Sequence, residues 1–141
     1  MVGPLKRYAL ADTAQQLVGG FLLAGPFVVT EEVWVLAGNM GGVHLVATAV
    51  IVFGIGYATL YKADAGRDPD REVDVAGVPV RFISLMAVSY GSVLVLALVF
   101  SAPETFVGDV PAAARWLTTA KAVSVGSVFS VIGAATADSL F

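Results

Sequence analysis

The chain of 141 residues is 57% hydrophobic and only 13% charged, and its mean hydropathy is +0.84. Soluble domains are about 25% charged, so this chain has too little charge to cover the surface of a soluble globule. Its net charge of −3 leaves no basic face for nucleic acid, and its lack of cysteine excludes disulfides, thiolate metal sites and cysteine nucleophiles. A soluble enzyme, a nucleic-acid-binding protein and a disordered chain are therefore disfavoured.

Four apolar stretches are long enough to cross a bilayer, whose hydrocarbon core of about 30 Å needs about 20 residues of helix. In chain order they cover residues 8–37, 42–61, 82–102 and 116–137. They do not alternate polar with apolar residues, which excludes transmembrane β-strands. The alternative of a very apolar soluble helical bundle is disfavoured by four such stretches in so short a chain. We predict an all-α membrane protein with a single four-helix transmembrane domain over residues 1–141.

The first stretch has two unusual features. It begins like a signal peptide, but Asp12, Gln15 and Gln16 interrupt its apolar core, so we expect it to be retained. Pro26 removes a backbone donor and predicts a kink near Leu22, whose carbonyl loses its partner.

The distribution of lysine and arginine predicts the orientation. Six basic residues lie on the side that holds both termini: Lys6, Arg7, Lys62, Arg67, Arg71 and Arg81. On the other side Arg115 stands alone, which places both termini in the cytoplasm and makes the chain a multi-pass protein of the cell membrane. Trp34 and Trp116 would lie at the outer interface, and we interpret both as interfacial anchors.

The long loop before the third stretch is acidic. It contains Asp64, Asp68, Asp70, Glu72 and Asp74, and the run from Asp68 to Asp74, with a carboxylate at every second position, resembles the start of a calcium loop. Val73 stands where such a loop needs glycine and Pro79 where it needs glutamate, so a solvated loop is the better interpretation. Acidic loops, little lysine and abundant valine and alanine resemble the composition of proteins from salt-loving archaea.

Polar residues inside the first stretch are the strongest functional signal, because ionisable groups in a membrane span are costly and face protein or water. Asp12, Gln16, Thr30 and Glu32 fall near one helical face with Gly19 between them, and small residues there allow another backbone to approach closely. A second small-residue face lies in the fourth stretch. Its members recur every four residues: Ala122, Gly126, Ser130, Ala134 and then Asp138.

The outer end of the first stretch predicts an ion pair. Lys121 lies about five residues, or roughly 8 Å, inside the fourth stretch, at a depth that matches Glu31 and Glu32. We expect Glu32 and Lys121 to lie near each other, within one chain or across an interface, because an unpaired charge in lipid is expensive. Glu31, Asn39 and His44 form a candidate outer polar cluster. A single histidine without cysteine makes no metal site, and we expect no cofactor.

A sequence motif follows the glycine pair Gly19-Gly20. It consists of Pro26, Thr30, Glu32, Val33 and Trp34, in the spacing P-x-x-x-T-x-E-V-W. The motif resembles a prokaryotic family of integral membrane proteins of unknown function. The resemblance covers about a fifth of the chain; it implies an integral membrane protein, singles out Glu32 over Glu31 and implies no known activity.

Two functions stay open. The first is an oligomeric conduit for ions or small solutes, lined by the polar face of the first stretch. The alternative is a non-transporting structural, sensing or partner-binding subunit, in which the same residues only hold helices together. We do not expect an enzyme, since no nucleophile–base pair is visible. The polar and small faces predict a homo-oligomer in the lipid bilayer.

Overall fold

Helices account for most of the structure, a computed structural model that describes residues 8–63 and 66–140. Lys6, Arg7 and Asp64, which entered the sequence argument, lie outside the described residues. The helices are α1 (Leu10–Val28), α2 (Glu31–Gly38), α3 (Gly42–Tyr57), α4 (Val80–Val99), α5 (Ala102–Val107) and α6 (Ala112–Leu140). A π-helical turn, Ala58–Ala63, continues α3, and a 3-10 turn, Pro69–Arg71, precedes a hairpin of β1 (Asp74–Val75) and β2 (Val78–Pro79). We call residues 66–79 the connector.

The first predicted stretch is two helices rather than one. α1 and α2 meet at Val29–Thr30 with a bend of 78°. α1 continues as a helix through Pro26 to Val28, and the 78° bend comes after it. A kink near Leu22 within α1 stays a prediction. Thr30 has an extended backbone and starts a new helix whose first turn carries two glutamates, and acidic groups stabilise a helix N-terminus.

α1 packs most tightly against α6, at a crossing of two glycines. A Cβ placed on Gly19 would lie 2.1 Å from the carbonyl oxygen of Gly133, and a Cβ on Gly133 would lie 2.2 Å from that of Gly19. The backbones therefore touch directly, as the small residues of the first stretch predicted. Next to this crossing, the Ser130 hydroxyl donates to the carbonyl of Gly20 at 3.1 Å, which joins the same two helices.

The small-residue face of α6 is buried within the same chain. Ala122, Gly126, Ser130, Ala134 and Asp138 are all buried. A Cβ on Gly126 would lie 2.7 Å from a methyl group of Val93, so α4 occupies the space that this glycine leaves. α1, α4 and α6 thus form the centre of the bundle, and both predicted small-residue faces are used inside it.

At one end of the bundle the short helices α2 and α5 pack around α6. Trp34 is 3% exposed, stacks on Phe106 of α5 with ring centroids 5.7 Å apart, and donates from Nε1 to the carbonyl of Val28 at 2.9 Å. This bond satisfies a carbonyl that the end of α1 leaves free. Trp34 is therefore a structural residue rather than a plain interfacial anchor, whereas Trp116 is 52% exposed.

α3 lies at the periphery of the bundle. Only 17% of the most apolar stretch of the segment Gly42–Ala63 is buried. Three helical segments of the described chain are long and apolar enough to cross a membrane: Gly42–Ala63, Val80–Val99 and Ala112–Leu140. α1 and α2 are long and apolar enough to cross a membrane only when they are taken together, as two helices bent relative to each other. The prediction of a helical membrane protein with several spans is confirmed.

Candidate functional site

A buried cluster of charges lies where the start of α1, the start of α4, the end of α6 and the connector meet. Arg81 is 3% exposed and stands at its centre. Its Nη1 lies 2.7 Å from Asp138 Oδ1 and 3.3 Å from Asp12 Oδ1, and its Nε lies 2.8 Å from Glu72 Oε2. One guanidinium thus contacts carboxylates from three different parts of the fold. Its fork of donors suits this arrangement, which a lysine ammonium could not reproduce.

A second guanidinium extends the cluster from the connector. Arg67 Nη1 lies 3.6 Å from Asp138 Oδ2, and Arg67 Nε lies 4.0 Å from Glu72 Oε2. The Arg67 side chain is 8% exposed, so both arginines are withdrawn from water. We call Asp12, Arg67, Glu72, Arg81 and Asp138 the ionic cluster.

Gln16 connects the ionic cluster to the interior of the bundle. Its Nε2 donates to the Arg81 carbonyl at 3.4 Å and to Asp138 Oδ2 at 3.3 Å. Its Oε1 lies 2.7 Å from the Ser84 hydroxyl and 3.1 Å from the Tyr8 hydroxyl. The side chain is completely buried, and both donors and both acceptor positions of its amide are used.

Two tyrosines border the cluster. Tyr8 lies over the Arg81 guanidinium, 5.0 Å from ring centroid to Cζ, in cation–π geometry. Burial raises the pKa of the Tyr8 phenol above its ordinary value, so its hydroxyl stays neutral. On the opposite side the Tyr61 hydroxyl, in the π-helical turn, donates to Glu72 Oε1. π-turns occur frequently at functional sites, and this one directs Tyr61 towards the connector.

The main effect of the ionic cluster is to favour one arrangement of the chain segments. Its contribution to the stability of the fold is the smaller effect. Removing charges from water costs several kcal/mol per ion, which mutual attraction repays only when hydrogen bonds satisfy the remaining positions. Removing one partner of such a buried pair costs about 3–5 kcal/mol, because the other charge is left unpaired. The cluster therefore penalises any conformation in which α1, α4, α6 and the connector separate.

The four residues predicted to form one polar face are divided between the two ends of α1. Asp12 and Gln16 join the ionic cluster. Thr30 stands at the break after α1, where its hydroxyl donates to the Phe27 carbonyl at 3.0 Å. Glu32 is exposed on α2 and, with Glu31, Val35 and Leu36, lines a shallow cavity of about 370 Å³. The bend between α1 and α2 separates these groups, since it turns Glu32 away from the face that carries Gln16.

The predicted Glu32–Lys121 ion pair does not form within this chain, because the described residues contain no contact of 4.0 Å or less between their charged groups. The physical reason is the face of α2 that carries Glu32. Val33, Trp34 and Ala37 of α2 pack in the same apolar core as Ala122 of α6, so the two helices meet at the level of Lys121. Glu32 itself is exposed, on the part of α2 that does not enter this core. A contact across an interface stays a prediction.

The candidate outer cluster of Glu31, Asn39 and His44 does not assemble as a site in the described structure. All three residues are exposed, and His44 Nδ1 accepts from the Gly41 backbone N–H at 3.0 Å as a helix cap. Among residues 8–63 and 66–140, no group of three His, Asp or Glu side chains is placed to hold a metal ion.

Sequence reasoning missed the roles of Arg67, Glu72, Arg81 and Asp138. Arg81 entered only as an orientation signal, Glu72 as part of a solvated loop and Asp138 as the end of a small-residue face. One signal was available: Asp138 continues a face whose other members are small and buried, so it too was bound to be buried and to need a cation. Which cation it finds depends on the tertiary arrangement.

The family model described as "Putative integral membrane protein (DUF2391)" matches residues 4–139. The chain belongs to this family. The resemblance found in the first stretch is confirmed and extends over nearly the whole chain. The protein is thus an integral membrane protein of a family without a known activity. No curated protein and no solved structure matches the chain.

Proposed function

We propose that this protein is a non-transporting membrane subunit, with a structural, sensing or partner-binding role and no enzymatic activity. The observation that supports this choice is the state of Gln16 and its neighbours. Gln16 of α1 points into a dry cluster in which Gln16, Arg81 and Asp138 are at most 3% exposed and paired with one another. A conduit would need such groups to line a path that water can enter.

The hydroxyl groups deeper in the bundle support the same choice. Ser89 donates to the Leu85 carbonyl at 2.6 Å and Ser127 to the Val123 carbonyl at 2.7 Å, each within its own helix. Such bonds satisfy these hydroxyl groups within their own helices, without a water-filled path.

In the membrane we propose four crossings by α1, α3, α4 and α6, with both termini in the cytoplasm. α1 has 19 residues and spans about 28 Å, which nearly matches the hydrocarbon core by itself. The bend of 78° would then place α2 along the outer surface, where α5 also packs on α6. The connector would lie on the inner side of the cell membrane.

A homo-oligomer stays a prediction. The argument for it from the sequence is weaker once the structure is considered. The two small-residue faces on which it rested are buried within one chain, where Ser130 contacts Gly20 of α1 and Gly126 contacts Val93 of α4. An association between copies would have to use other surfaces, and native mass spectrometry from mild detergent would measure it.

The test compares Gln16→Leu with Gln15→Leu in proteoliposomes. As a subunit, the wild type shows no flux of Na⁺, K⁺ or protons above that of empty vesicles, and Gln16→Leu lowers the stability of the fold. Gln15 is the matched control, because its Oε1 has no hydrogen-bond partner among the described residues. Flux in the wild type that Gln16→Leu abolishes while the fold stays intact would establish the conduit instead.

A further inference from the structure

We propose that the connector is a lid over one end of the bundle and that its closure depends on the charge of Glu72. The lid consists of the described residues 66–79. It covers Arg81 and Asp138, which α4 and α6 contribute to the ionic cluster. This inference goes beyond the proposed function and would hold for a conduit as well.

The connector is attached by polar contacts rather than by apolar burial. Of residues 66–79, only Glu72 and Pro79 are buried. Its large apolar residues point outwards: Val73 is 37% exposed, Val75 59% and Val78 42%. The hydrophobic effect, which holds the helices together, therefore contributes little to the docking of this segment.

Glu72 is the residue that enters the bundle. Its carboxylate is 3% exposed and is met from two sides, by Arg81 Nε at 2.8 Å from α4 and by the Tyr61 hydroxyl from the π-helical turn. Arg67 provides a second contact between the connector and the bundle, because its Nη1 lies 3.6 Å from Asp138 Oδ2. A neutral side chain at position 72 loses the attraction between the Glu72 carboxylate and the Arg81 guanidinium and leaves this guanidinium with one carboxylate fewer.

The rest of the bundle does not depend on the connector. Both apolar cores of the described chain are built from the helices and the π-helical turn, and neither includes a residue of 66–79. The crossing of Gly19 and Gly133 lies three residues from Gln16 along α1 and five residues from Asp138 along α6, and its nearest atoms belong to these two helices. The lid can therefore leave the bundle while α1, α4 and α6 stay packed.

Opening changes which groups water can reach. In the closed state Arg81 is 3% and Asp138 is 2% exposed. With Glu72 withdrawn, the Arg81 guanidinium loses one of its three carboxylates and becomes accessible from the connector side. Opening and closing of the connector would thus change the surface that this end of the bundle presents.

The test is hydrogen exchange measured by mass spectrometry on the full chain in lipid nanodiscs. We compare the wild type, Glu72→Gln and Asp70→Asn; the last removes the same charge from an exposed position of the same segment. We expect exchange in 66–79 to become about tenfold faster or more in Glu72→Gln, the effect of losing one hydrogen bond to a charged group. Asp70→Asn should match the wild type, and exchange in α6 and in α4 beyond its first turn, whose Val80 N–H donates to the Val73 carbonyl of the connector, should be unchanged in both variants.

Two results would overturn the proposal. Unchanged exchange of the connector in Glu72→Gln would show that the charge of Glu72 does not hold it. Faster exchange of the connector together with α1, α4 and α6, or a variant that does not fold, would make Glu72 part of the core rather than of a lid. A charge-retaining variant, Glu72→Asp, adds a graded measure, because its exchange should fall between those of the wild type and Glu72→Gln.

Discussion

The crossing of Gly19 and Gly133 makes a sharp prediction for Gly19→Ala. The added methyl group would lie 2.1 Å from the Gly133 carbonyl oxygen, 2.7 Å from its carbon and 2.8 Å from the Cβ of Ala137. Two of these atoms belong to the backbone and cannot rotate away. Restoring an ordinary contact of about 3.4 Å requires α1 and α6 to separate by more than about 1 Å.

The expected cost follows from this displacement. Overpacking by one methylene costs about 1–3 kcal/mol where side chains can adjust, and here the backbone itself must move. Alanine is the better helix former by about 1 kcal/mol, which offsets part of the loss. We therefore expect Gly19→Ala to lower the free energy of unfolding by at least about 2 kcal/mol.

The assay is reversible unfolding in mixed micelles, followed by the helical circular dichroism signal. Gly25→Ala is the control on the same helix, since its Cβ would meet the nearest atom, Leu96 Cδ1, at an ordinary 3.8 Å. Gly133→Ala should resemble Gly19→Ala, because its Cβ meets the Gly19 carbonyl oxygen at 2.2 Å. Equal stability of Gly19→Ala and Gly25→Ala would refute this account of the crossing.

Two further predictions use the cysteine-free background and the tryptophans. Asp70→Cys, the sole thiol of its chain, should react with an impermeant reagent only from the cytoplasmic side, and labelling from outside intact cells would contradict the proposed orientation. Trp34→Phe should cost about 1–2 kcal/mol of stability, because it leaves the Val28 carbonyl without its donor, whereas Trp116→Phe at an exposed position should be near neutral; equal unfolding midpoints would rule out this role of the Trp34 bond.

Much of the fold could be predicted from the composition of the chain and the spacing of its residues. The apolar stretches located α3, α4 and α6, because their length and composition are local properties of the chain. The small residues around Gly19 and the repeat ending at Ala134 indicated close helix packing, and the structure brings these two faces together. The break at Thr30 was missed because apolar residues resume at Val33, directly after Glu31 and Glu32, so hydropathy does not register a change of direction there.

The candidate site was predicted only in part. Asp12 and Gln16 were identified, since polar residues on one face of a membrane helix must find partners. Their partners were not, because Arg81 and Asp138 are 57 residues apart and no local spacing relates them. The Glu32–Lys121 pair was expected within the chain for a similar reason: which residues of α2 face α6 depends on the bend after α1, which the local sequence leaves undetermined.

The length of α6 has a consequence for the thickness of membrane that this protein can occupy. α6 has 29 residues and α4 has 20, and Asp138 is level with the start of α4, so α6 extends about 13 Å beyond α4 at the opposite end. Bilayers differ in thickness by several ångströms, and a helix of fixed length meets a thicker or thinner one by tilting or distorting the lipid. In a thick bilayer the extension of α6 provides apolar surface for the lipid. In a thin bilayer the side chains of α2 and α5, which pack on the extension, cover it. Hydrophobic mismatch should therefore act mainly at this end, while the opposite end keeps a constant position at the interface.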